Sequence, residues 1–285
     1  MAAEVVDTIA DVRAWTARQP EGTTVGFVPT MGALHRGHAR LIERAREETD
    51  RVIVSIFVNP LQFDRPDDLE RYPRSLEADV RTCRELGVDL IFAPAGGEMY
   101  PSPPLCTVEV RRLTDRLCGR FRPDHFAGVA TVVAKLFEIV RPDRAYFGEK
   151  DAQQLVVVRR LVADLNMPLQ VIGVPTVREP DGVALSSRNA RLTPEERERA
   201  PALYRALREA ERAIAAGETD AGTVERRAAG SIPRDAALRL EYLEVVDPDE
   251  LQPVRTIGAP VLVAAAMWVG STRLIDNLRC SPPHV

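Results

Sequence analysis

Apolar and polar positions follow two rhythms along this chain. Near-continuous apolar runs occur at 24–29 (TVGFVP), 51–58 (RVIVSIFV), 88–93 (VDLIFA), 144–148 (RAYFG) and 169–177 (LQVIGVPTV). Their length and Val/Ile/Phe content suit parallel strands buried on both faces. Between them, apolar residues recur at helical spacing over 37–49, 75–86, 127–140 and 151–164. Strand–helix alternation predicts an α/β fold, with a doubly wound, Rossmann-like and mainly parallel sheet.

Past about residue 177 the order changes. A charged helix is expected over 193–217, with Thr193 as its cap and Pro194 at its first position. A second helix follows near 219–230, then two strand-like runs, LRLEYLEVV (238–246) and PVLVAAAMWV (260–269). This order predicts a second, smaller α+β domain over 177–285 behind the Rossmann-like domain over 1–176.

Composition narrows the partners. The chain has 285 residues, 45% hydrophobic and 28% charged, enough apolar material for sizeable cores. A net charge of −4 gives no ground for nucleic acid or an anionic membrane as partner. The longest apolar run, APVLVAAAMWVG at 259–270, is about half the ~20 residues a membrane span needs. The opening MAAEVVDTIADVRAW lacks the basic and apolar regions of a signal peptide. The cysteines at 83, 106, 118 and 280 form no C-x-x-C pair. A cytoplasmic, reducing location is therefore expected.

The candidate chemistry sits at strand-to-helix turns. Two of the four histidines, His35 and His38, fall in TMGALHRGHARLIERA (30–45), beside Gly32 and Gly37 and just after the first buried strand. Ligands of open α/β sheets bind beyond the strands' carboxyl ends, where helix N-termini offer N–H groups and a positive dipole end. Two imidazoles there make a phosphate cradle. A pair of capping or solvated histidines fits the spacing too. FGEKDAQQL (147–155) joins another strand to a helix. All but two of the 38 basic residues are arginines, the exceptions being Lys135 and Lys150. A lysine in such a chain points to a need for a compact charge, and Lys150 is the candidate to hold phosphate. A solvated loop with Asp151 as helix cap is the alternative. Lys135, in an apolar helical pattern, is expected to snorkel at the surface. The polar loop ALSSRNARLTPEE (184–196) suits an anion clamp.

H-x-G-H after a first strand resembles the signature of the nucleotidyl-transferring α/β superfamily that includes class I aminoacyl-tRNA synthetases. More specifically, PTMGALHRGH, FVNPLQF, YPR, RPDHFAGV, FGEKDAQQL, SSRN and RLIDNLR, in this order over residues 24–279, resemble the pantoate–β-alanine ligase (pantothenate synthetase) family. The resemblance implies an ATP-dependent ligase joining pantoate to β-alanine through a pantoyl adenylate, with Mg²⁺ as cofactor and a homodimer as assembly. It implies catalytic roles for His35, His38, Lys150 and Arg188. Pro29, Thr30, Met31, Gly37, Gly148, Asp151, Val177, Leu185, Ser186 and Ser187 would complete the ATP site. Asn59, Gln62, Arg122 and Gln154, with Met31, would hold pantoate, and Asp79 would stand near Mg²⁺. Leu185 replaces the Met that is frequent before S-S-R-N in the family, a volume-matched apolar exchange. The alternatives are another adenylyl- or cytidylyltransferase of the superfamily and a catalytically silent nucleotide-binding module.

Overall fold

The computed structural model describes residues 3–283, so His284 and the outermost residues of both expected domains lie outside the described residues. Two compact units emerge, one built from Met1–Val110, Arg122–Glu149 and Val157–Pro175, the other from Arg111–Phe121, Lys150–Val156 and Thr176–Val285.

The first unit is organised by a six-stranded parallel sheet. Its strands are β1 (Glu4–Val6), β2 (Val25–Thr30), β3 (Arg51–Ile56), β4 (Leu90–Phe92), β5 (Arg144–Gly148) and β6 (Gln170–Val174). They lie in the order β1-β4-β3-β2-β5-β6. Side-chain alternation sends successive residues to opposite faces. Val28, Val52, Val54 and Ile91 pack with Leu41, Ile42 and Ala45 of helix Arg36–Glu48. Phe27 instead meets Phe137 of helix His125–Val140 edge to face, with ring centroids 6.4 Å apart. Both faces are therefore covered, which is why the strands read as continuous apolar runs.

The strand order reverses between β2 and β5. Here β2 pairs with β5 only at Gly26–Arg144 and Phe27–Ala145, although the strands run on to Thr30 and Gly148. Their carboxyl ends separate at the switch point, the place where such sheets bind ligands.

The second unit is an antiparallel sheet of β7 (Leu238–Val246), β8 (Val261–Val269) and β9 (Thr272–Cys280), in that order, against helix Pro201–Ala215. Thr193 caps the first helix of the C-terminal half as expected, and Glu196 returns the bond. The expected 193–217 helix is divided, however, into Pro194–Arg199 and Pro201–Ala215. Pro201 has no N–H for the i−4 carbonyl, although Ala200 between the two keeps helical angles. Two strands had escaped the pattern: β1 has only three residues, and in β9 polar Arg273, Asp276, Asn277 and Arg279 interrupt the apolar run.

Candidate active site

In the first unit the chemistry follows the ends of β2 and β3, which are hydrogen-bonded neighbours in register from Val25–Arg51 to Thr30–Ile56. Pro29 and Thr30 close β2, and the Thr30 hydroxyl donates to the Ser55 carbonyl at 2.7 Å. The following loop is bent by Gly32 (φ 80°) and Ala33 (φ 51°). A Cβ at Gly32 would come 2.8 Å from Asp79 Oδ2, so both the left-handed backbone and the close carboxylate require glycine.

Asp79 is buried, and its oxygens accept from the Ala33 N–H (2.9 Å) and the Leu34 N–H (2.7 Å). The side chain expected near Mg²⁺ thus braces the loop that leads into the histidines. Asp79→Asn places an amide donor against one of these N–H groups. It should cost about 1–3 kcal/mol in denaturant unfolding and weaken ATP binding in calorimetry. Unchanged values for both would dismiss the brace.

His35 is the N-cap of helix Arg36–Glu48, its Nδ1 accepting from the Gly37 N–H at 3.1 Å. His38 returns the bond, its Nδ1 accepting from the His35 N–H at 3.3 Å, and the ring centroids are 4.1 Å apart. Capping and ligand binding are compatible here. A neutral ring that accepts at Nδ1 carries its proton on Nε2, so the cap selects the tautomer that can donate from Nε2 to an anion. The chain has built a capping box, ordinarily made by Ser/Thr with Glu/Gln, from two histidines.

Beyond β3, Asn59 and Gln62 form a buried amide pair. Asn59 Nδ2 donates to Gln62 Oε1 (3.0 Å) and to the Gly128 carbonyl (3.1 Å), while Asn59 Oδ1 accepts from the Tyr100 hydroxyl (2.9 Å). Gln62 Nε2 reaches Met31 Sδ at 3.1 Å, linking this pair to the β2 loop. The Gln62 carbonyl accepts from His125 Nδ1 (2.7 Å) and from Arg122 (3.2 Å). Arg122 also pairs with Asp64 at 2.7 Å. Burial alone would raise the Asp64 pKa, but the hydrogen bonds and charge of Arg122 hold it below the ordinary value. Arg122, expected to line the pantoate region, is therefore tied to the backbone beneath Gln62.

Sequence reasoning missed Tyr100. Lys135 is half-buried, with its ammonium 5.5 Å from the centre of the Tyr100 ring. Partial cover of its stem is what a snorkelling lysine shows.

The second unit contains the other candidates. Lys150 lies in the short 3-10 turn Glu149–Asp151, two residues beyond Gly148 at the end of β5. Asp151 Oδ1 accepts from the Gln154 N–H at 3.0 Å and so caps helix Ala152–Asp164. The two glutamines of the motif differ. Gln153 is buried, accepting from the Cys118 N–H (2.9 Å) and donating to the Leu113 and Arg116 carbonyls (both 2.8 Å). Gln154 is left half-exposed.

Burial lowers the pKa of Lys150, and Arg188 acts in the same direction, against the opposing pull of Asp151, Asp276 and Cys118. Val177 and Leu185 face each other across a small hairpin, the Leu185 N–H donating to the Val177 carbonyl at 3.0 Å. Ser186 caps the 3-10 turn Ser187–Arg191 by accepting from the Arg188 N–H at 3.3 Å. Three of the expected nucleotide contacts, Ser186, Ser187 and Arg188, thus stand on one short turn. Among the described residues no group of three or more His, Cys, Asp or Glu side chains could hold a metal ion. No helix among them is long and apolar enough to cross a membrane.

Known proteins resemble this chain over nearly its whole length. Residues 4–279 match a family model described as pantoate-beta-alanine ligase. Pantothenate synthetase from Heliobacterium modesticaldum is 51% identical over 275 residues, covering 96% of this chain and 98% of that protein. The Geobacillus thermodenitrificans pantothenate synthetase is 52% identical, with 96% and 95% covered. The crystal structure of pantothenate synthetase from Thermus thermophilus superposes with a TM-score of 0.92 at 49% identity, covering 98% of this chain and all of that one. Pantoate-beta-alanine ligase from Francisella tularensis, complexed with beta-gamma ATP and beta-alanine, has a TM-score of 0.82 at 35% identity, with 98% of each chain covered.

Proposed function

The chain belongs to the pantoate–β-alanine ligase family, and from that membership we propose that it condenses pantoate with β-alanine at the expense of ATP. The products are pantothenate, AMP and pyrophosphate, and the intermediate is a pantoyl adenylate held without a covalent bond to the protein. One observation carries the reading. The capped histidine pair after β2 and the Asn59–Gln62 amide pair after β3 stand on adjacent strand ends, linked by Met31. A phosphate cradle beside a small set of amide donors suits the adenylation of a small hydroxy acid.

In the first half-reaction the pantoate carboxylate attacks the α-phosphorus and pyrophosphate leaves. Both reactants are anionic, so the step depends on fixed positive groups and N–H donors more than on proton transfer. His35 and His38 would donate from Nε2, and Lys150 and Arg188 would supply positive charge. Thr30, Gly37, Gly148, Asp151, Ser186 and Ser187 would hold the nucleotide, with Pro29, Val177 and Leu185 as its apolar contacts. Gln62, Gln154 and Asn59 would hold pantoate, with Arg122 bracing Gln62. In the second half-reaction the β-alanine amine attacks the acyl carbon and AMP leaves. The adenylate hydrolyses readily, so water has to be kept from it until β-alanine attacks.

Mg²⁺ carried in on the triphosphate commonly takes one or two carboxylates with phosphate and water, and each Asp79 oxygen, accepting one backbone N–H, keeps a further lone pair for it. Asp79 is the carboxylate to supply, and bound Mg²⁺ would neutralise charge on the departing pyrophosphate. A homodimer and a cytoplasmic location belong to the same reading, checked by light scattering and cell fractionation.

The test is ATP–pyrophosphate exchange with and without pantoate, followed by AMP release when β-alanine is added. Exchange that ignores pantoate would transfer the reading to another acid, and ATP binding without exchange would leave only a nucleotide-binding module. The pH profile makes a further prediction. Burial favours the neutral amine of Lys150, so its ammonium is lost as pH rises through a pKa below the ordinary value of about 10.4. The alkaline limb of kcat/KM for adenylate formation should fall correspondingly early. A rate that holds level past that pH would remove Lys150 from the reaction.

A further inference from the structure

The aim of the Lys150 ammonium depends on how its backbone is held, and that backbone lies at an irregular joint. In a regular α-helix the Lys150 carbonyl would accept from the Gln154 N–H, but that donor goes to the Asp151 side chain. The Lys150 carbonyl instead accepts from Asn277 Nδ2 at 3.0 Å, across 127 positions of sequence.

Asn277 is itself firmly placed. It is buried in β9, in register with Ala264 of β8. Its N–H donates to Asp276 Oδ1 at 2.8 Å, and its carbonyl accepts from Arg178 at 3.3 Å. Arg178 grips Asp276 with two bonds of 2.6 and 3.0 Å, donates to the Gly182 carbonyl at 3.0 Å and stacks 4.3 Å over the Tyr204 ring. A planar guanidinium held on four sides fixes the β9 main chain and, through it, the direction of the Asn277 amide.

We propose that Asn277 is a positioning residue for adenylate formation, setting the backbone from which Lys150 reaches the phosphates. The inference rests on the proposed role of Lys150. Acting through Lys150, Asn277 should lose its effect when the Lys150 ammonium is absent.

A double-mutant cycle on the full chain tests this by pyrophosphate exchange, with thermal unfolding alongside. Asn277→Ala should slow exchange by ~10-fold in the Lys150 background, and by less than about 2-fold in the Lys150→Ala background. Asn277→Asp keeps the shape but sets an acceptor against the Lys150 carbonyl. It should be similarly slow and unfold at a lower temperature, because a buried acceptor then faces an acceptor; with exchange read below that temperature, it stands in if the alanine variant does not fold. Equal losses in both backgrounds would reduce Asn277 to a structural residue and overturn the proposal, as would wild-type exchange in either Asn277 variant. A Lys150→Ala protein that exchanges normally would overturn the underlying role of Lys150 too. Impaired Lys150→Ala with unimpaired Asn277 variants would overturn the positioning inference alone.

Discussion

Lys150→Ala slows pantoate-dependent ATP–pyrophosphate exchange by about 10²–10³-fold, the usual loss for one preorganised donor to developing charge. The size follows from the surroundings. Burial disfavours the ammonium, and Asp151 and Asp276 pull the other way. Lys150 is half-buried, and a charge partly withdrawn from water acts more strongly on a phosphate oxygen than one in bulk solvent. Lys150→Arg keeps the charge, yet should also stay well below wild type. A broad planar fork cannot occupy the place of a compact ammonium, and this arginine-rich chain retains lysine here. Near-normal exchange in the alanine variant, or wild-type turnover in the arginine variant, would defeat the assignment.

The second large effect is expected at a residue with no side chain. Gly128, in helix His125–Val140, lies directly under the short turn Pro60–Gln62. A Cβ there would stand 2.7 Å from the Gln62 backbone nitrogen and inside the van der Waals envelope of the Leu61 carbonyl. The obstacle is main chain, so no rotamer change relieves it. Gly128→Ala must push the turn outward, moving Gln62 and disturbing the Asn59 bond to the Gly128 carbonyl. The expected cost is about 1–3 kcal/mol in denaturant unfolding, the usual range for an overpacked site. The KM for pantoate should rise more than that for ATP, because the moved groups are the proposed pantoate amides. A variant that unfolds like wild type and keeps its pantoate KM would show that the turn tolerates the methyl group.

Both predictions concern motifs legible in the sequence, but legibility differed between them. Lys150 stood out by composition alone. Gly128 was visible only as a member of RPDHFAGV, and its contact with Leu61 needed the folded helix. Asp79 and Arg122 show a subtler gap. Each was assigned to a ligand region, and the structure shows each spending bonds on the backbone that carries other site residues. Gln153 and Gln154 are adjacent and chemically identical, and only the segment 111–121 packed over one of them separates their roles.

By itself, the sequence determined the strand–helix alternation, the parallel sheet and the histidine-bearing turn. These depend on the period of apolar residues and on local caps, which a short window of chain contains. Only the tertiary structure decided that Asn277 holds the Lys150 carbonyl, that Asp79 braces the loop before His35, and that β9 completes the second sheet. The reason is physical: hydrophobic periodicity records which face of an element avoids water, whereas a polar side chain's partner is fixed by whatever distant chain the fold brings beside it.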